Sequence, residues 1–362
     1  MSPPPAPPAA AAADSPAASS APPRPIAVLV DREGLGDSLL KLPFLRAIAR
    51  AYPDHPIWWI SSHQTAMAND LAPFVRPLIA RVIDHAGLTT PPRAVIARLR
   101  ALPPFEMVFD SRTRGLTVLL ARLFLRHRGF YCCLPGYMLS SRRPPGRLAR
   151  PSGIAARMLS LAAAAIGGEP DWRGRLDIAE AARRLAAERL PEGPVYVGLA
   201  PGSREARKNW PIDRYVALAR RLAESGRVPV FMIGPQEAEM VATIRRAVPE
   251  ALLPEVEPVD PGLGLKRLEL AIAVGERLAA VVANDNGIGH LMASIGTPLV
   301  SLFGPTDIGR WAPFTEQGVI VSATQFGGTA MEAIPVDAAF AAAERLLMES
   351  RDGAHGGSPN RR

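Results

Sequence analysis

The most regular hydrophobic pattern in this chain is a strand–helix–strand unit in its C-terminal half. The apolar run 278–283 has the length of a buried strand, and an apolar segment that begins at His290 predicts a helix. That helix is expected to end at Gly296, and residues 297–304 are expected to form the next strand. The pattern therefore predicts a βαβ unit.

The turn between the first strand and the helix contains candidate ligand-binding residues. Asp285 follows the carboxyl end of the strand, and Gly287, Gly289 and His290 stand at the start of the helix. Ligands bind at the carboxyl ends of strands in open α/β sheets, and free N–H groups at a helix start favour an anion such as phosphate. The alternative is an ordinary βαβ unit whose glycines only allow close packing.

The same alternation of strand and helix occurs upstream. A strand over 195–200, a loop that contains Lys208, a helix over 212–225 and a strand over 228–233 are expected. Repeated β-loop-α units predict a parallel sheet with helices on both faces. Because Lys208 follows a strand's carboxyl end, it is expected to face the same crevice as Asp285 and to contact phosphate, unless it is an ordinary surface lysine.

The N-terminal half begins with another unit of this kind. The run 26–30 predicts a buried strand, and a glycine-bearing turn leads into a helix expected over 39–52. Leu39 stands where the third glycine of a dinucleotide-binding turn belongs, so a nicotinamide cofactor is not expected. Asp37 lies at the start of this helix, where it is either a capping carboxylate or a functional one.

Arginines accumulate after two further strands, which are expected over 57–61 and 106–110. Residues 111–150 contain no acidic residue and nine arginines: Arg112, Arg114, Arg122, Arg126, Arg128, Arg142, Arg143, Arg147 and Arg150. A helix with a basic face is expected over 116–125. This face is either the solvated side of a packed helix or a surface for an anionic acceptor or membrane head groups. DNA binding is less favoured, because no recognition motif accompanies the charge.

Composition narrows the class of protein. Hydrophobic residues make up 48% and charged residues 21% of the 362-residue chain, which is typical of a globular protein with room for two domains. The net charge of +8 permits a nucleic acid, an anionic lipid or a phosphorylated substrate as partner. Cys132 and Cys133 are adjacent and lack metal-ligand spacing, so reduced thiols in a reducing compartment are expected. No apolar run has the length of a membrane span.

These patterns also predict the domain organisation. Residues 1–24 are mostly Pro, Ala and Ser, have no features of a secretory signal, and are expected to be a disordered tail. Residues 25–178 are expected to form an N-terminal α/β domain, 179–194 a linker with a charged helix over 179–190, and 195–350 a C-terminal α/β domain. Residues 351–362 are expected to be a second disordered tail.

Three separated motifs resemble those of glycosyltransferase family nine, which contains the bacterial lipopolysaccharide heptosyltransferases. In chain order they are Gly36-Asp37 followed by Leu39-Leu40-Lys41-Leu42-Pro43, then Pro201-Gly202-Ser203 leading to Lys208-Asn209-Trp210-Pro211, and last Asn284-Asp285-Asn286-Gly287-x-Gly289-His290 followed by Phe303-Gly304-Pro305-Thr306. Each motif is weak alone, but their order and separation cover most of the chain. One difference is Asn286, which replaces the small hydroxyl residue usual at that position.

The resemblance implies a GT-B fold, in which two Rossmann-like domains with parallel sheets face each other across a cleft. It implies an inverting glycosyltransferase that moves a sugar, heptose from ADP-heptose, to a lipopolysaccharide-core or other glycan acceptor. The implied partners are a nucleotide-sugar donor on the C-terminal domain and an anionic glycan or glycolipid acceptor on the N-terminal domain, with no nucleic acid. The implied location is the cytoplasm, with peripheral contact to the inner membrane.

Site residues follow from the resemblance together with the chemistry of the reaction. Asp37 is the expected general base, and Lys208 is expected to stabilise the leaving diphosphate. The expected donor-binding residues are Ser203, Lys208, Asp285, Asn286, Gly287, Gly289 and His290, and the expected acceptor-binding residues are Arg112 and Arg114. No metal or cofactor is expected, because no Asp-x-Asp signature lies at a suitable strand end. The alternative is a non-catalytic nucleotide-sugar-binding or regulatory protein of the same fold, which would have no use for a base in the cleft.

Overall fold

The computed structural model describes residues 22–146 and 150–355, with side chains described as far as Glu349. Most of the predicted tails, residues 1–21 and 356–362, and Arg147 of the arginine-rich segment lie outside the described residues. Two parallel sheets of five strands organise the described part of the chain. None of the described helices is both long enough and apolar enough to cross a membrane.

The first sheet belongs to the N-terminal half and has the strand order β3-β2-β1-β4-β5, with all neighbours parallel. Its strands are β1 (Ile26–Val30), β2 (Ile57–Ser61), β3 (Arg81–Ile83), β4 (Phe105–Asp110) and β5 (His127–Cys132). Every residue of the central strand β1 is buried. Helices cover both faces of such a sheet, which is why β1 is a continuous apolar run without alternation.

Six helices accompany the first sheet: α1 (Leu35–Leu39), α2 (Leu42–Ala51), α3 (Ala72–Val75), α4 (Pro92–Ala101), α5 (Gly115–Phe124) and α6 (Ile154–Ile166). The helix predicted over 39–52 is confirmed as α2 from Leu42 to Ala51, but its predicted start is wrong, because Leu39 ends the separate helix α1. Pro43 lies in the first turn of α2, where its missing N–H is tolerated, but in a continuous helix it would interrupt the hydrogen-bond ladder.

The second sheet has the order β10-β9-β8-β6-β7 and is also parallel throughout. Its strands are β6 (Tyr196–Ala200), β7 (Val228–Phe231), β8 (Ala280–Asn284), β9 (Leu299–Phe303) and β10 (Gly318–Ser322). The helices around it are α7 (Glu180–Arg189), α8 (Ile212–Glu224), α9 (Met240–Ala247), α10 (Arg267–Gly275), α11 (Gly287–Ile295), α12 (Ile308–Trp311) and α13 (Val336–His355). The predicted unit of strand, helix and strand is confirmed as β8, α11 and β9. Gly296 ends α11 in the left-handed conformation, with a φ of 85°.

The segment predicted as a linker contains a packed helix. Helix α7 lies against α10, and Arg183 on α7 donates to Glu276 at 2.9 Å. Ala182 and Ala186 are fully buried at this contact. Helix α13 continues five residues into the predicted C-terminal tail. The domain boundaries expected from the sequence stay predictions.

The two halves contact each other along the carboxyl ends of their sheets. Helix α1 lies against α11, and a Cβ built on Gly36 would be only 3.0 Å from Cδ2 of His290. On α2, Arg46 donates to the carbonyl of Ser294 at 3.0 Å. The GT-B arrangement of two α/β domains facing across a cleft is therefore confirmed.

Candidate active site

Both sheets have a topological switch point, and the two switch points face each other. In the first sheet, the chain runs outward from β1 to β2 and β3 and then returns to β4 on the other side of β1. In the second sheet, β6 is followed by β7 on one side and by β8 on the other. Crevices for ligands open at such points, outside the carboxyl ends of the strands. Each domain therefore presents a crevice toward the other.

The first cavity, of about 380 Å³, lies between the turn after β1 and the second sheet. The loop after β6, the loop after β7 and the start of α11 line it on the second-sheet side. From the first sheet it is lined by Gly34, Leu35, Gly36 and Asp37, and from the second by Gly202, Ser203, Arg204, Glu205, Lys208, Gln236, Glu237, Asp285, Asn286, Gly287, Ile288, His290 and Trp311. We call this the interdomain cavity. Of the predicted donor-binding residues, Gly289 alone is not in its lining.

A cluster of charges occupies the floor of the interdomain cavity. The Nζ atom of Lys208 lies 3.0 Å from Oδ2 of Asp285 and 3.3 Å from Oε1 of Glu205. The other carboxylate oxygen of Asp285 lies 3.7 Å from Nε2 of His290. Burial alone would raise the pKa of Asp285, but His290 and Lys208 outweigh that effect, so the pKa is lowered. Asp285 is therefore an ionised acceptor held between two donors.

Asn286 fixes the loop after β6 to the start of α11. As the N-cap of α11, its Oδ1 accepts a hydrogen bond from the Gly289 N–H at 2.7 Å. Its Nδ2 donates to the carbonyls of Ala200 and Gly202. The amide group is thus used within the protein, and it holds two walls of the interdomain cavity together. Donor binding by Asn286 stays a prediction.

The start of α11 leaves two backbone donors for a ligand. The N–H of Gly289 is taken by the Asn286 side chain, and the N–H of His290 donates to the Asn286 carbonyl at 3.3 Å. Within residues 22–146 and 150–355, the N–H groups of Gly287 and Ile288 have no hydrogen-bond partner. Both residues line the interdomain cavity. With the positive end of the helix dipole, these two groups are suited to an anionic ligand, and binding of the donor at Gly287 stays a prediction.

A second cavity, of about 260 Å³, opens at the switch point of the first sheet and carries mostly positive charge. We call it the basic cavity. Residues from the loops after β1 and β4 line it, together with residues of α6 and one residue of α12. The lining residues are Asp31, Arg32, Asp37, Lys41, Ser111, Arg112, Thr113, Arg114, Cys133, Ile154, Arg157, Met158 and Arg310.

The two predicted acceptor-binding arginines differ in their surroundings. Arg112 is buried, and its Nε and Nη2 donate to the two oxygens of Asp110 at 2.8 and 2.7 Å, while its Nη1 donates to the Leu88 carbonyl at 3.0 Å. Arg114 is exposed and has no ion-pair partner among the described residues. Both line the basic cavity, so both roles stay predictions. Arg112 is the less available of the two, because its donors are already used.

Asp37 is the one residue common to the linings of the two cavities. It is the third residue of α1, and the N-cap of that helix is Gly34, so the interpretation of Asp37 as an N-cap is wrong. Its side chain is half-buried, and in the described part of the chain it has no hydrogen-bond or ion-pair partner. A carboxylate without an ion-pair partner, at the junction of two cavities, is positioned to accept a proton from a molecule that reaches from one cavity to the other.

Several residues of the two cavities were not predicted from the sequence. Glu237 packs so closely on the loop after β6 that a Cβ at Gly202 would collide with its carboxylate. Arg157 and Arg310 line the basic cavity from α6 and from the second domain. Glu237 could have been found from the sequence, because it is a charged residue shortly after the Gly234-Pro235 strand end. The sequence contains no such signal for Arg157 and Arg310, because only tertiary packing brings them to the basic cavity.

Among the residues that the structure describes, no three His, Cys, Asp or Glu side chains converge as they must to hold a metal ion. Cys132 and Cys133 are both buried and unpaired, and burial raises the pKa of Cys133 to about 12, so it is a protonated and inert thiol.

Comparison with known proteins relates this chain to one family. Residues 147–332, about half of the chain, match the model of glycosyltransferase family 9 (heptosyltransferase). Lipopolysaccharide heptosyltransferase 3 of Escherichia coli is 24% identical over 345 residues, 87% of this chain and 96% of that protein. Lipooligosaccharide heptosyltransferase 2 of Haemophilus influenzae is 33% identical over 134 residues, which are 36% of this chain and only 37% of that protein.

Solved structures of heptosyltransferases have a similar fold. The structure of an Escherichia coli heptosyltransferase with ADP superimposes with a TM-score of 0.59 at 18% identity, over 90% of this chain and 99% of that one. At this identity the likeness establishes the fold alone. Taken together, the match of the family model to half of the chain, the three motifs that line one cleft and the GT-B fold establish that the chain belongs to glycosyltransferase family 9, the heptosyltransferase family.

Proposed function

We propose that this glycosyltransferase transfers heptose from ADP-heptose, with inversion, to an anionic sugar of a lipopolysaccharide-core or related glycan acceptor. The names of its relatives support a heptosyl transfer and a lipopolysaccharide acceptor. A solved structure of the same fold contains ADP, which supports an adenine nucleotide as leaving group. The interdomain cavity is the proposed donor site, and the basic cavity is the proposed acceptor site.

The position of Asp37 carries this proposal. It lines both cavities, and no described lysine, arginine or histidine forms an ion pair with it. In the proposed reaction an acceptor hydroxyl attacks the anomeric carbon and transfers its proton to the Asp37 carboxylate. A bond forms between the acceptor oxygen and the anomeric carbon, the bond from that carbon to the diphosphate oxygen breaks, and its electron pair leaves with ADP. Attack from the side opposite the leaving group inverts the anomeric centre.

Charge that develops on the leaving diphosphate is met by donors already in place. Lys208 supplies a positive charge, and the N–H groups of Gly287 and Ile288 supply hydrogen-bond donors at the start of α11. Asp285 is held ionised between Lys208 and His290, so it is proposed to accept hydrogen bonds from sugar hydroxyls and to orient the anomeric carbon. The reaction is proposed to proceed without a metal ion.

The basic cavity is proposed to select an acceptor that carries phosphate or carboxylate. Arg114 and Arg310 approach it from different domains. Burial lowers the pKa of Arg157, whose Nε atom is buried without a hydrogen-bond partner in the described residues. An anionic group on the acceptor would supply that missing partner.

The site of action is proposed to be the cytoplasm, at the inner face of a membrane. Two adjacent cysteines that stay unpaired are typical of a reducing compartment. A lipid-linked acceptor would bring the protein to the membrane surface.

The test is turnover with a panel of ADP-, UDP- and GDP-sugars and a lipopolysaccharide-core acceptor that lacks its outer heptoses. We expect release of ADP from ADP-heptose that depends on the acceptor and is unaffected by a metal chelator, and an NMR spectrum of the product with the opposite anomeric configuration. Tight binding of ADP-heptose without turnover on any acceptor would favour the non-catalytic alternative. Retention of the anomeric configuration would contradict the role of Asp37 as base.

A further inference from the structure

Helix α5 exposes leucines along one face. Leu116 is 60%, Leu119 38% and Leu123 64% exposed. Their spacing of three and four residues places them on the same side of the helix. The expected basic face of this helix is wrong, because Arg122, its one charged residue, is half-buried over the ring of Phe130. The exposed side of α5 is an apolar strip, which we call the leucine strip.

The segment around the leucine strip carries all the excess positive charge of the chain. Residues 85–168 contain 13 arginines, no lysine and two acidic residues, a formal charge of +11, whereas the whole chain carries +8. The remainder of the chain is therefore slightly negative, at −3. Such an asymmetry orients a protein toward an anionic surface.

The two acidic residues of this segment offset little of its surface charge. Asp110 is fully buried and is paired with Arg112, and Glu106 is paired with Arg128 at 3.2 Å. Exposed arginines border the leucine strip. Arg100, near the end of α4, lies over the ring of Phe124, with 5.0 Å from Cζ to the ring centroid, and Arg126 is the second residue after α5. Exposed leucines between exposed arginines suit the boundary between acyl chains and anionic head groups.

The leucine strip adjoins the basic cavity. Arg114, which lines that cavity, is the N-cap residue of α5, two positions before Leu116. Met138 follows β5 at the same carboxyl edge of the sheet and is 58% exposed. An acceptor that is anchored in a bilayer under the strip would therefore present its sugar close to the cavity.

We propose that the leucine strip and its flanking arginines form a docking surface for an anionic lipid bilayer, with α5 lying in the plane of the head groups. Leu116, Leu119 and Leu123 enter the acyl boundary, and Arg100 and Arg126 contact lipid phosphates. Binding to lipid follows from the exposed leucines and the charge, and does not depend on the reaction. Delivery of a lipid-linked acceptor to the basic cavity rests on the proposed function.

The experiment is co-sedimentation of the full chain with vesicles of phosphatidylcholine, with and without phosphatidylglycerol. We expect binding to the anionic vesicles that weakens with added salt, and little binding to the neutral ones. A triple variant, Leu116→Ser, Leu119→Ser and Leu123→Ser, should lose more than about tenfold in apparent affinity. Arg100→Gln with Arg126→Gln should weaken binding at low salt and make it less dependent on salt.

The matched control replaces exposed apolar residues of the second domain, Leu263→Ser and Phe326→Ser, which are 42% and 41% exposed. This control should bind vesicles as the wild type does. Thermal melting should show the triple variant and the control folded, and turnover with a detergent-free, soluble acceptor should be unchanged in both. Equal binding of the triple variant and the wild type would overturn the proposal. A dimeric wild type and a monomeric triple variant would also overturn the proposal, since the leucine strip would then be an interface between two copies of the chain.

Discussion

At the scale of single residues, the two charged groups proposed for the reaction are in opposite electrostatic states. The ammonium group of Lys208 is ion-paired with Asp285 and Glu205, whereas Asp37 has no described partner. Because the carboxylates hold the ammonium group of Lys208 in place before a diphosphate binds, binding requires little reorganisation of the side chain. An unpaired carboxylate remains free to accept a proton.

Replacement of Asp37 by Asn should separate catalysis from binding. Asp37→Asn keeps the size of the side chain, and Asp37 caps no helix, so the melting temperature should hardly change. Loss of a general base should lower kcat by roughly a hundred- to ten-thousand-fold, while the affinity for ADP, measured by calorimetry, should stay near that of the wild type. Asp31→Asn is the control, since Asp31 lines the basic cavity but lies beside His63. A parallel loss of ADP affinity and kcat would show that Asp37 contacts the donor.

Removal of the Lys208 side chain should weaken binding of the nucleotide. Lys208→Ala deletes the ammonium group that contacts Asp285, and a lost charged contact costs on the order of 1.5–3 kcal/mol, or about ten- to hundredfold in the Kd for ADP. Lys266→Ala, at an exposed lysine before α10, is the matched control and should bind as the wild type does. An unchanged Kd for Lys208→Ala would make Lys208 a structural partner of Asp285 only.

At the scale of secondary-structure elements, different atoms at the start of α11 stabilise the helix and remain available to a ligand. Its stability depends on the Asn286 side chain, which occupies the Gly289 N–H. The proposed anion site depends on the N–H groups of Gly287 and Ile288, which that cap leaves without a hydrogen-bond partner among the described residues. A longer-reaching cap that also occupied these groups would stabilise the helix and remove the site.

Substitutions at Asn286 should separate capping from loop attachment. Asn286→Ala should destabilise the protein by about 1–2 kcal/mol, since it removes the cap. Asn286→Ser keeps an oxygen that can accept from the Gly289 N–H but loses the donation to Ala200 and Gly202, so it should recover most of that stability. Urea unfolding measures both. If the serine variant is as unstable as the alanine variant, loop attachment rather than capping carries the contribution of Asn286.

At the scale of the whole molecule, a buried acid should impose a pH dependence on stability. The Oε1 atom of Glu255 is buried and has no hydrogen-bond partner in the described part of the chain. Burial, opposed by Arg267 and assisted by Glu237, raises the pKa of Glu255 from 4.5 to about 7. Between these two pH values the folded state binds more protons than the unfolded state does, so the free energy of unfolding falls as pH rises.

Glu255→Gln should remove this pH dependence. The variant keeps a neutral side chain at every pH, so it should be more stable than the wild type at pH 8, by about 1–3 kcal/mol, and similar at pH 4. Chemical denaturation at several pH values between these limits measures the difference. Glu257→Gln, two residues away and exposed, is the control and should leave the pH profile as it is. Parallel profiles of wild type and Glu255→Gln would show that Glu255 titrates normally.

The sequence by itself determined the local units of this protein. Strands β1, β2, β6 and β8, the helix after β8 and its end at Gly296 all follow from apolar runs and glycines, because a buried parallel strand and a helix terminus depend on neighbours in the chain. For the same reason, the positions of Asp37, Lys208 and Asp285 at carboxyl ends of strands could be predicted, and a shared crevice for Lys208 and Asp285 followed from the parallel order.

Only the tertiary structure decided what surrounds these residues. Whether Arg112 faces a ligand or Asp110, and which arginines line the basic cavity, depends on packing between segments far apart in the chain. The leucines of α5 show most clearly what a local sequence pattern cannot predict. A spacing of three and four residues usually marks the buried face of a helix, yet Leu116, Leu119 and Leu123 lie in solvent because α5 packs on the sheet through its other side. The local pattern specifies that a helix has an apolar face, whereas the packing of the whole chain decides which face is covered.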